Sequence, residues 1–403
     1  CSSDLLKIID TKRVKRDVKI DKLTIMLDRY LPPLEGDIVT FIGSTFIRNG
    51  EKTPYLNHCI ALGKAIVEDN TSVIECYEKE EDVLLAWTKV IQNEDPDIII
   101  GYNIFGFDYK FMVQRANELG IAAAFLDLSR IQDNVCGYRQ KDGTYKVRES
   151  SITIASGTHE TCYIRMSGRI QVDLYNYFRR GYNLESYKLD HVAGHFIRNK
   201  VSSYKDGILS SKIDNVLQKG SYIHIEEIGH SSDYIDNGGK FKITDIDKEN
   251  GTMKIDRKDL QIDFNKKVMW CLAKDDVSPQ DIFRLTREGP MEKGIIAKYC
   301  IQDCNLVHHL LQKIDMITEF IEMANLCYVP IDFIVLRGQG IKLFSFISKQ
   351  CREIDTLLPV LTKGDNSGYE GAIVLQPKCG LYLDEPVACV DYSSLYPSSM
   401  ISE

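Results

Sequence analysis

Residues 97–102 (DIIIGY) make a short apolar run of strand character that leads, through one loop, into an amphipathic helical pattern from about Phe107 to Leu119. Gly120 is placed to close that helix. Upstream, the acids of EEDV at 80–83 open another helical pattern that runs through Ile91, with negative charge where the helix dipole favours it, and Pro96 ends it. Residues 37–47 (DIVTFIGSTFI) form a further β-rich run. Strands alternating with helices in this way predict an α/β fold.

The pattern then changes twice. Residues 136–180 carry hairpin signals, among them Asp142-Gly143 between alternating runs, and residues 168–175 (GRIQVDLY) read as another strand. From about 203 to 270, short alternating strands are separated by Gly, Asn and Asp turns, which predicts a small all-β insertion. From Pro279 to about Cys351 the pattern is helical, and residues 369–390 return to strand and turn. A length of 403 residues allows two or three domains.

No apolar run reaches the length of a membrane span. Twelve cysteines occur without a CxxC pair, which predicts free thiols in a reducing compartment. Cys300 and Cys304, one helical turn apart, are expected to pack rather than bind metal, and the neighbouring His308 and His309 are expected to be surface or packing residues. The basic stretch from Lys12 to Lys22 is a solvated face or a DNA contact. A net charge of −8 counts against a protein that grips duplex DNA across a wide face, but leaves room for one that gathers carboxylates around metal ions.

Three constellations carry chemistry. Asp108, in NIFGFD (103–108), stands where a strand passes into a helix, the edge at which α/β folds place their sites; an Asp there also satisfies a helix N-terminus. Tyr299 and Asp303, in YCIQD, lie about 6 Å apart along one helix face and can hold a metal ion and orient a water, although the same spacing is common on helices. In VACVDYSSLYPSSM (387–400), four small apolar residues predict a buried strand ending at Asp391, followed by a tight turn through Ser394, Leu395, Tyr396 and Pro397. An acid at a strand end beside free backbone N–H groups can bind Mg²⁺ and a triphosphate together.

These strings resemble the motifs of family B DNA polymerases. DYSSLYPS is similar to the first catalytic motif, DxxSLYPS; NIFGFD to the second exonuclease motif, NxxxFD; and YCIQD to the third, YxxxD. They stand in the family's order. YEGA, beginning at Tyr369, resembles the exonuclease–palm linker YxGG in the form seen in delta-like members, with Ala372 in place of the commoner Gly. The first exonuclease motif, FDIE, is expected immediately before the opening CSSD, and the YGDTDS hairpin beyond residue 403.

The resemblance implies an RNase H-like 3′→5′ exonuclease domain over 1–315 with the all-β insertion, a helical connector over 316–368, and the first strands of a polymerase palm over 369–403. It implies two Mg²⁺ ions per active site. Asp108 and Asp303 would be metal-site carboxylates and Tyr299 would position the attacking water. Asn103 and Phe107 would hold a frayed 3′ end, Phe107 by stacking on a base. Asp391 would bind metal beside the carbonyl of Tyr392. N–H groups around Ser394, Leu395 and Tyr396 would cradle the triphosphate, with Tyr396 under the sugar. Tyr369 and Gly371 would contact DNA. The implied partners are primer-template DNA, a single-stranded 3′ end, dNTP and a sliding clamp; the implied setting is a replication site in a nucleus or a viral replication compartment. With half of each carboxylate set, residues 1–403 alone are expected to be inactive. A stand-alone exonuclease and an inactive structural subunit of a replisome are the rival readings.

Overall fold

The computed structural model describes residues 2–11, 14–30, 34–69, 71–154, 157–213, 216–229, 231–274, 277–358 and 371–402. They divide into two units, Cys1–Gln350 and Cys351–Glu403.

The first unit opens with helices α1 (Ser2–Asp10) and α2 (Arg16–Tyr30), and the described part of the basic stretch lies mainly exposed there. Strand β1 (Phe41–Phe46) pairs antiparallel with β2 (Leu56–Leu62), which pairs parallel with β3 (Ser72–Tyr77). Helix α3 (Glu80–Glu94) buries Val83, Leu84, Trp87, Val90 and Ile91, the helical spacing that faces a sheet. It ends at Asp95 in the left-handed region (φ 45°), whose N–H returns to the Ile91 carbonyl, and Pro96 blocks continuation.

Strand β4 (Ile98–Gly101) runs into a π-helical turn at Ile104–Asp108 and then α4 (Tyr109–Glu118), so the expected helix is split at Asp108. Gly120 follows α4 at φ +72°. After α5 (Ala122–Phe125), the Asp142-Gly143 turn joins β5 (Tyr138–Arg139) to β6 (Tyr145–Lys146), and β7 (Arg148–Ile154) pairs with β8 (Gly157–Tyr163). Strand β9 (Ile170–Asp173) then returns to pair parallel with β4, placing Asp173 opposite Gly101. Helices α6 (Leu174–Gly181) and α7 (Leu189–Phe196) follow.

The all-β segment is wider than expected, from Arg198 to Ala273, and it closes. Its strands are β10 (Arg198–Lys205), β11 (Ile208–Ser211), β12 (Tyr222–Ile228), β13 (Ser232–Tyr234), β14 (Phe241–Asp247), β15 (Thr252–Ile255) and β16 (Lys267–Ala273). The antiparallel neighbours run β12–β14–β15–β11–β10–β16 and back to β12, a six-stranded ring with β13 added outside. Closure leaves few strand edges unpaired. Alternate residues fill the interior: Leu209, Ile223, Ile225, Phe241, Ile243 and Trp270 are all at most 1% exposed. The Trp270 indole N–H donates to Ser211 Oγ at 2.8 Å, so the one polar atom of that ring is satisfied.

Helix α8 (Pro279–Glu288) begins with a capping box in which Ser278 and Asp281 satisfy each other's backbone N–H. Helix α9 (Pro290–Ile314) packs on β1 and β2 and reaches β4, so it bridges the two small sheets. A Cβ at Gly43 would come within 3.0 Å of Cys300 Cβ, and one at Gly294 would collide with the Ile66 carbonyl. Glycine at both points lets α9 lie against the sheet. Cys300 and His308, whose Nε2 meets the Thr45 carbonyl at 3.1 Å, are packing residues as expected. Helices α10 (Met316–Cys327), α11 (Ile331–Leu336) and α12 (Gln339–Glu353) complete the helical stretch.

The first unit also holds a buried ion network. Arg115 on α4 grips Glu80 at 2.9 and 2.6 Å, Glu118 at 2.5 Å and Glu35 at 3.1 Å, while Glu80 also accepts from the Val39 N–H at 2.8 Å. These carboxylates raise the Arg115 pKa, Glu80 most of all.

In the second unit the sequence expectation fails. Among the described residues 371–402 there is no strand, and Val387 and Val390 are 72% and 93% exposed rather than buried. A strand is held by a hydrogen-bonded neighbour, and no described residue pairs with 387–391. The first palm strands are therefore not formed among residues 371–402, whose only element is α13 (Leu395–Ser402).

Candidate active site

Asp108 is the last residue of the π-helical turn, a kind of distortion often found at functional sites. The turn is set by two features. Asn103 takes the left-handed conformation (φ 65°), and its side chain lies so close to Gly106 that a Cβ there would collide with its amide oxygen. The second feature is Asp173, which sequence reasoning missed. It is 2% exposed and accepts from the backbone N–H groups of Asn103 at 2.7 Å, Phe105 at 3.0 Å and Tyr175 at 3.0 Å. Burial raises its pKa to about 6 against the pull of those three donors, with the Asp108 charge adding to the rise. Asp173 thus clamps the loop that carries Asp108 to the start of α6.

Phe107 is 59% exposed, with its ring stacked on Phe111 at 5.6 Å between centroids, and so presents an aromatic face to solvent beside Asp108. Dehydration raises the Asp108 pKa; a backbone N–H opposes it.

Asp303 and Tyr299 project from successive turns of α9. The Cys304 thiol pKa is raised by burial first, then by Cys300 and by the Asp303 and Asp108 carboxylates. Asp108 follows β4 and Asp303 stands on α9, which also contacts β4. The Asp303 pKa is raised by dehydration and held back by Lys274, whose Nζ lies 2.9 Å from Asp303 Oδ2 and 4.5 Å from the Tyr299 ring centroid. Lys274 follows the last barrel strand, and its backbone carbonyl accepts from Lys240 Nζ at 2.9 Å. Neither lysine carries a sequence signal, since a lysine after a strand is normally a solvated end.

Among the described residues no group of three or more His, Cys, Asp or Glu side chains gathers as a metal cage. A divalent ion can bind through one or two carboxylates and complete its shell with water and substrate phosphate, although Asp303 is already paired with Lys274. Asp108 and Asp303 are the residues that would hold it.

In the second unit Asp391, Tyr392, Leu395 and Tyr396 are all exposed. Ser394 takes φ +51° and turns the chain, its carbonyl accepts from the Ser398 N–H at 2.9 Å, and α13 starts at Leu395. Gly371 is exposed with no neighbour that a Cβ would touch; Tyr369 lies outside the described residues.

Comparison with known proteins decides the family. The exonuclease-domain model of family B DNA polymerases matches residues 14–192, and the family B polymerase model matches 329–403. The chain belongs to the family B DNA polymerases. It is 42% identical, over its whole length, to the DNA polymerase of Phaeocystis pouchetii virus, of which it spans 40%. It is 38% identical over 95% of its length to that of Pyramimonas orientalis virus, of which it spans 30%, and 29% identical over 92% to the DNA polymerase delta catalytic subunit of Candida albicans, of which it spans 28%. This family B chain therefore spans well under half the length of these relatives. Asp108 falls within the exonuclease match and Asp391 within the polymerase match, while the barrel, Lys274, Tyr299 and Asp303 lie between them. No helix among the described residues is long and apolar enough to cross a membrane.

Proposed function

We propose that this chain contributes one half of a proofreading exonuclease site and one half of a nucleotidyl-transfer site in a replicative DNA polymerase similar to viral and delta-type members. The placement of Asp108 after β4, and of Asp303 and Tyr299 on α9, which contacts β4, supports the exonuclease reading. The sheets β1–β2–β3 and β4–β9, both contacted by α9, suit an RNase H-like fold.

In the exonuclease, a water attacks the terminal phosphodiester and a nucleoside monophosphate leaves. When bound, two divalent ions would stabilise the entering and leaving oxygens. The residues here do the rest. Tyr299 orients the water through its hydroxyl. Phe107 stacks on the unpaired terminal base, a contact open to any base because each has a π-face. Asn103 holds the end beside it. Lys274 keeps Asp303 in position and compensates its charge. In the palm, Asp391 and the Tyr392 carbonyl would hold the metal when it is bound. The N-terminus of α13, with the N–H groups of Ser394, Leu395 and Tyr396, receives the triphosphate by its partial positive charge. Tyr396 lies under the sugar, and Tyr369 and Gly371 contact DNA between the sites. The substrates are primer-template DNA, its frayed 3′ end and dNTP; the partner is a sliding clamp, and the setting is a replication compartment. The polymerase match at 329–403 counts against a stand-alone exonuclease.

Residues 1–403 alone supply two exonuclease carboxylates and one palm carboxylate, and are inactive on this reading. A metal titration of the longer protein tests it. Degradation of a single-stranded 3′ end should require Mg²⁺ or Mn²⁺ and vanish in Asp303→Asn. Metal-independent degradation, or degradation by residues 1–403 that Asp303→Ala abolishes, would overturn it.

A further inference from the structure

A cavity of about 570 Å³ opens in the first unit among the β7–β8 hairpin, α6, α10 and the turn from α11 into α12. That is within the roughly 300–1,000 Å³ range of small-ligand pockets. Three cationic side chains reach its wall: Arg180 from α6, Arg337 from the turn and Lys342 from α12. Among the described residues none of the three pairs with a carboxylate. Arg180 spends one N–H on the Val335 carbonyl at 2.8 Å, and Arg337 lies over its own neighbour Phe333 at 5.3 Å. The two carboxylates at the wall are engaged elsewhere: Glu319 accepts from the Tyr177 hydroxyl at 2.6 Å, and Asp173 holds its three backbone donors. Lys342 is consequently a cation under pressure. Burial lowers its pKa most; Cys327 opposes this, the nearby Arg180 charge lowers it further, and Glu319 opposes least. Four aromatic rings join polar and aliphatic residues in the rest of the wall, with Tyr163 packed on Phe105 and Tyr177 set edge-on to Phe320.

Cations that line a cavity without an ion-paired carboxylate are stabilised by an anion, and a guanidinium fork matches phosphate oxygens in two-point contact. Aromatic rings beside them add a surface for a base. We propose that this cavity is a nucleotide subsite in which Arg180, Arg337 and Lys342 take a phosphate group and Tyr163 and Tyr177 take the attached base or sugar. A free nucleoside monophosphate and a nucleotide within a single strand share this chemistry. The inference needs neither metal site, so a failed exonuclease assay would leave it standing.

Calorimetry on the longer protein in EDTA, with dTMP, inorganic phosphate and an oligo-dT strand as probes, tests it. Lys342→Glu and Arg180→Met should each weaken dTMP or oligo-dT binding at least tenfold, and inorganic phosphate should bind less tightly than dTMP. A loss confined to oligo-dT, with the salt slope falling by about 0.7 per lost contact, assigns the site to a strand; a loss for dTMP as well assigns it to free nucleotides too. If Lys342→Glu melts below the wild type, Lys342→Gln takes its place. Unchanged binding of both dTMP and oligo-dT in variants that melt like the wild type would overturn the proposal.

Discussion

Replacing Asp173 tests how the fold positions Asp108. The side chain is buried and accepts three backbone N–H bonds. Hydrogen bonds to a charged group contribute about 1.5–3 kcal/mol each. The cost of burying the charge outweighs that pull, since the carboxyl still stands raised from 3.8 to about 6, a net ~3 kcal/mol against the ionised form. Asp173→Ala leaves the Asn103 and Phe105 N–H groups without their acceptor, at about 1–3 kcal/mol each, and should loosen the Asn103–Asp108 turn by ~2–6 kcal/mol, at least about a thirtyfold loss of amide protection. Asp173→Asn removes the charge and keeps an acceptor, at the cost of one N–H facing an amide donor, and should stay within ~1–3 kcal/mol of the wild type near neutral pH. The folded pKa is raised, so the stability this carboxyl contributes through its proton is full below about 3.8 and is lost as pH rises through about 6. Hydrogen exchange of the peptide covering 102–108, corrected for intrinsic rates, should show that pH dependence in the wild type and not in Asp173→Asn. Wild-type protection in Asp173→Ala, or the same pH dependence in Asp173→Asn, would refute the clamp.

Three further outcomes follow from the geometry. Lys274→Met should lower exonuclease turnover about 10–100-fold while leaving polymerisation unchanged, and Lys240→Ala should lower it less, with rescue by Lys240→Arg; steady-state kinetics on a single-stranded end separates kcat from KM. Phe107→Ala should raise KM for that end by the value of one base stack, about 1–3 kcal/mol or roughly 5–150-fold, with kcat for the bound end little changed. Arg115→Met leaves the buried Glu80 unpaired and should destabilise the first unit by about 3–5 kcal/mol, read as increased hydrogen exchange in 39–46; adding Glu80→Gln should restore part of the loss.

Elements governed by local chemistry were legible in the sequence. Strand β1, helix α3 with its Pro96 stop, the Asp142-Gly143 hairpin and the helix opened by Ser278 and Pro279 all stand where apolar spacing and turn residues put them. The π-turn at Ile104–Asp108 was not, because it depends on the distant Asp173 accepting the Asn103 and Phe105 N–H groups. Alternation marked the β segment, but its closure rests on the long-range pairing of β12 with β16, which the pattern within each strand does not encode. Asp108, Tyr299 and Asp303 were found from motifs. Lys274 was not, since it matters only because the barrel's last strand ends against α9. At 387–391 the small apolar run was misread as a buried strand, because apolar composition does not supply the neighbour that a strand requires.

The central claim is that the two carboxylate sites of this chain serve two separate reactions. It is tested most directly by assaying Asp303→Ala and Asp391→Ala of the longer protein side by side, on a single-stranded 3′ end and on a primer-template with dNTP. Asp303→Ala should lose at least about a thousandfold, ~4 kcal/mol, in exonuclease rate and keep primer extension; Asp391→Ala should do the reverse. Loss of both activities in either well-folded variant, or retention of exonuclease activity in Asp303→Ala, would contradict the assignment.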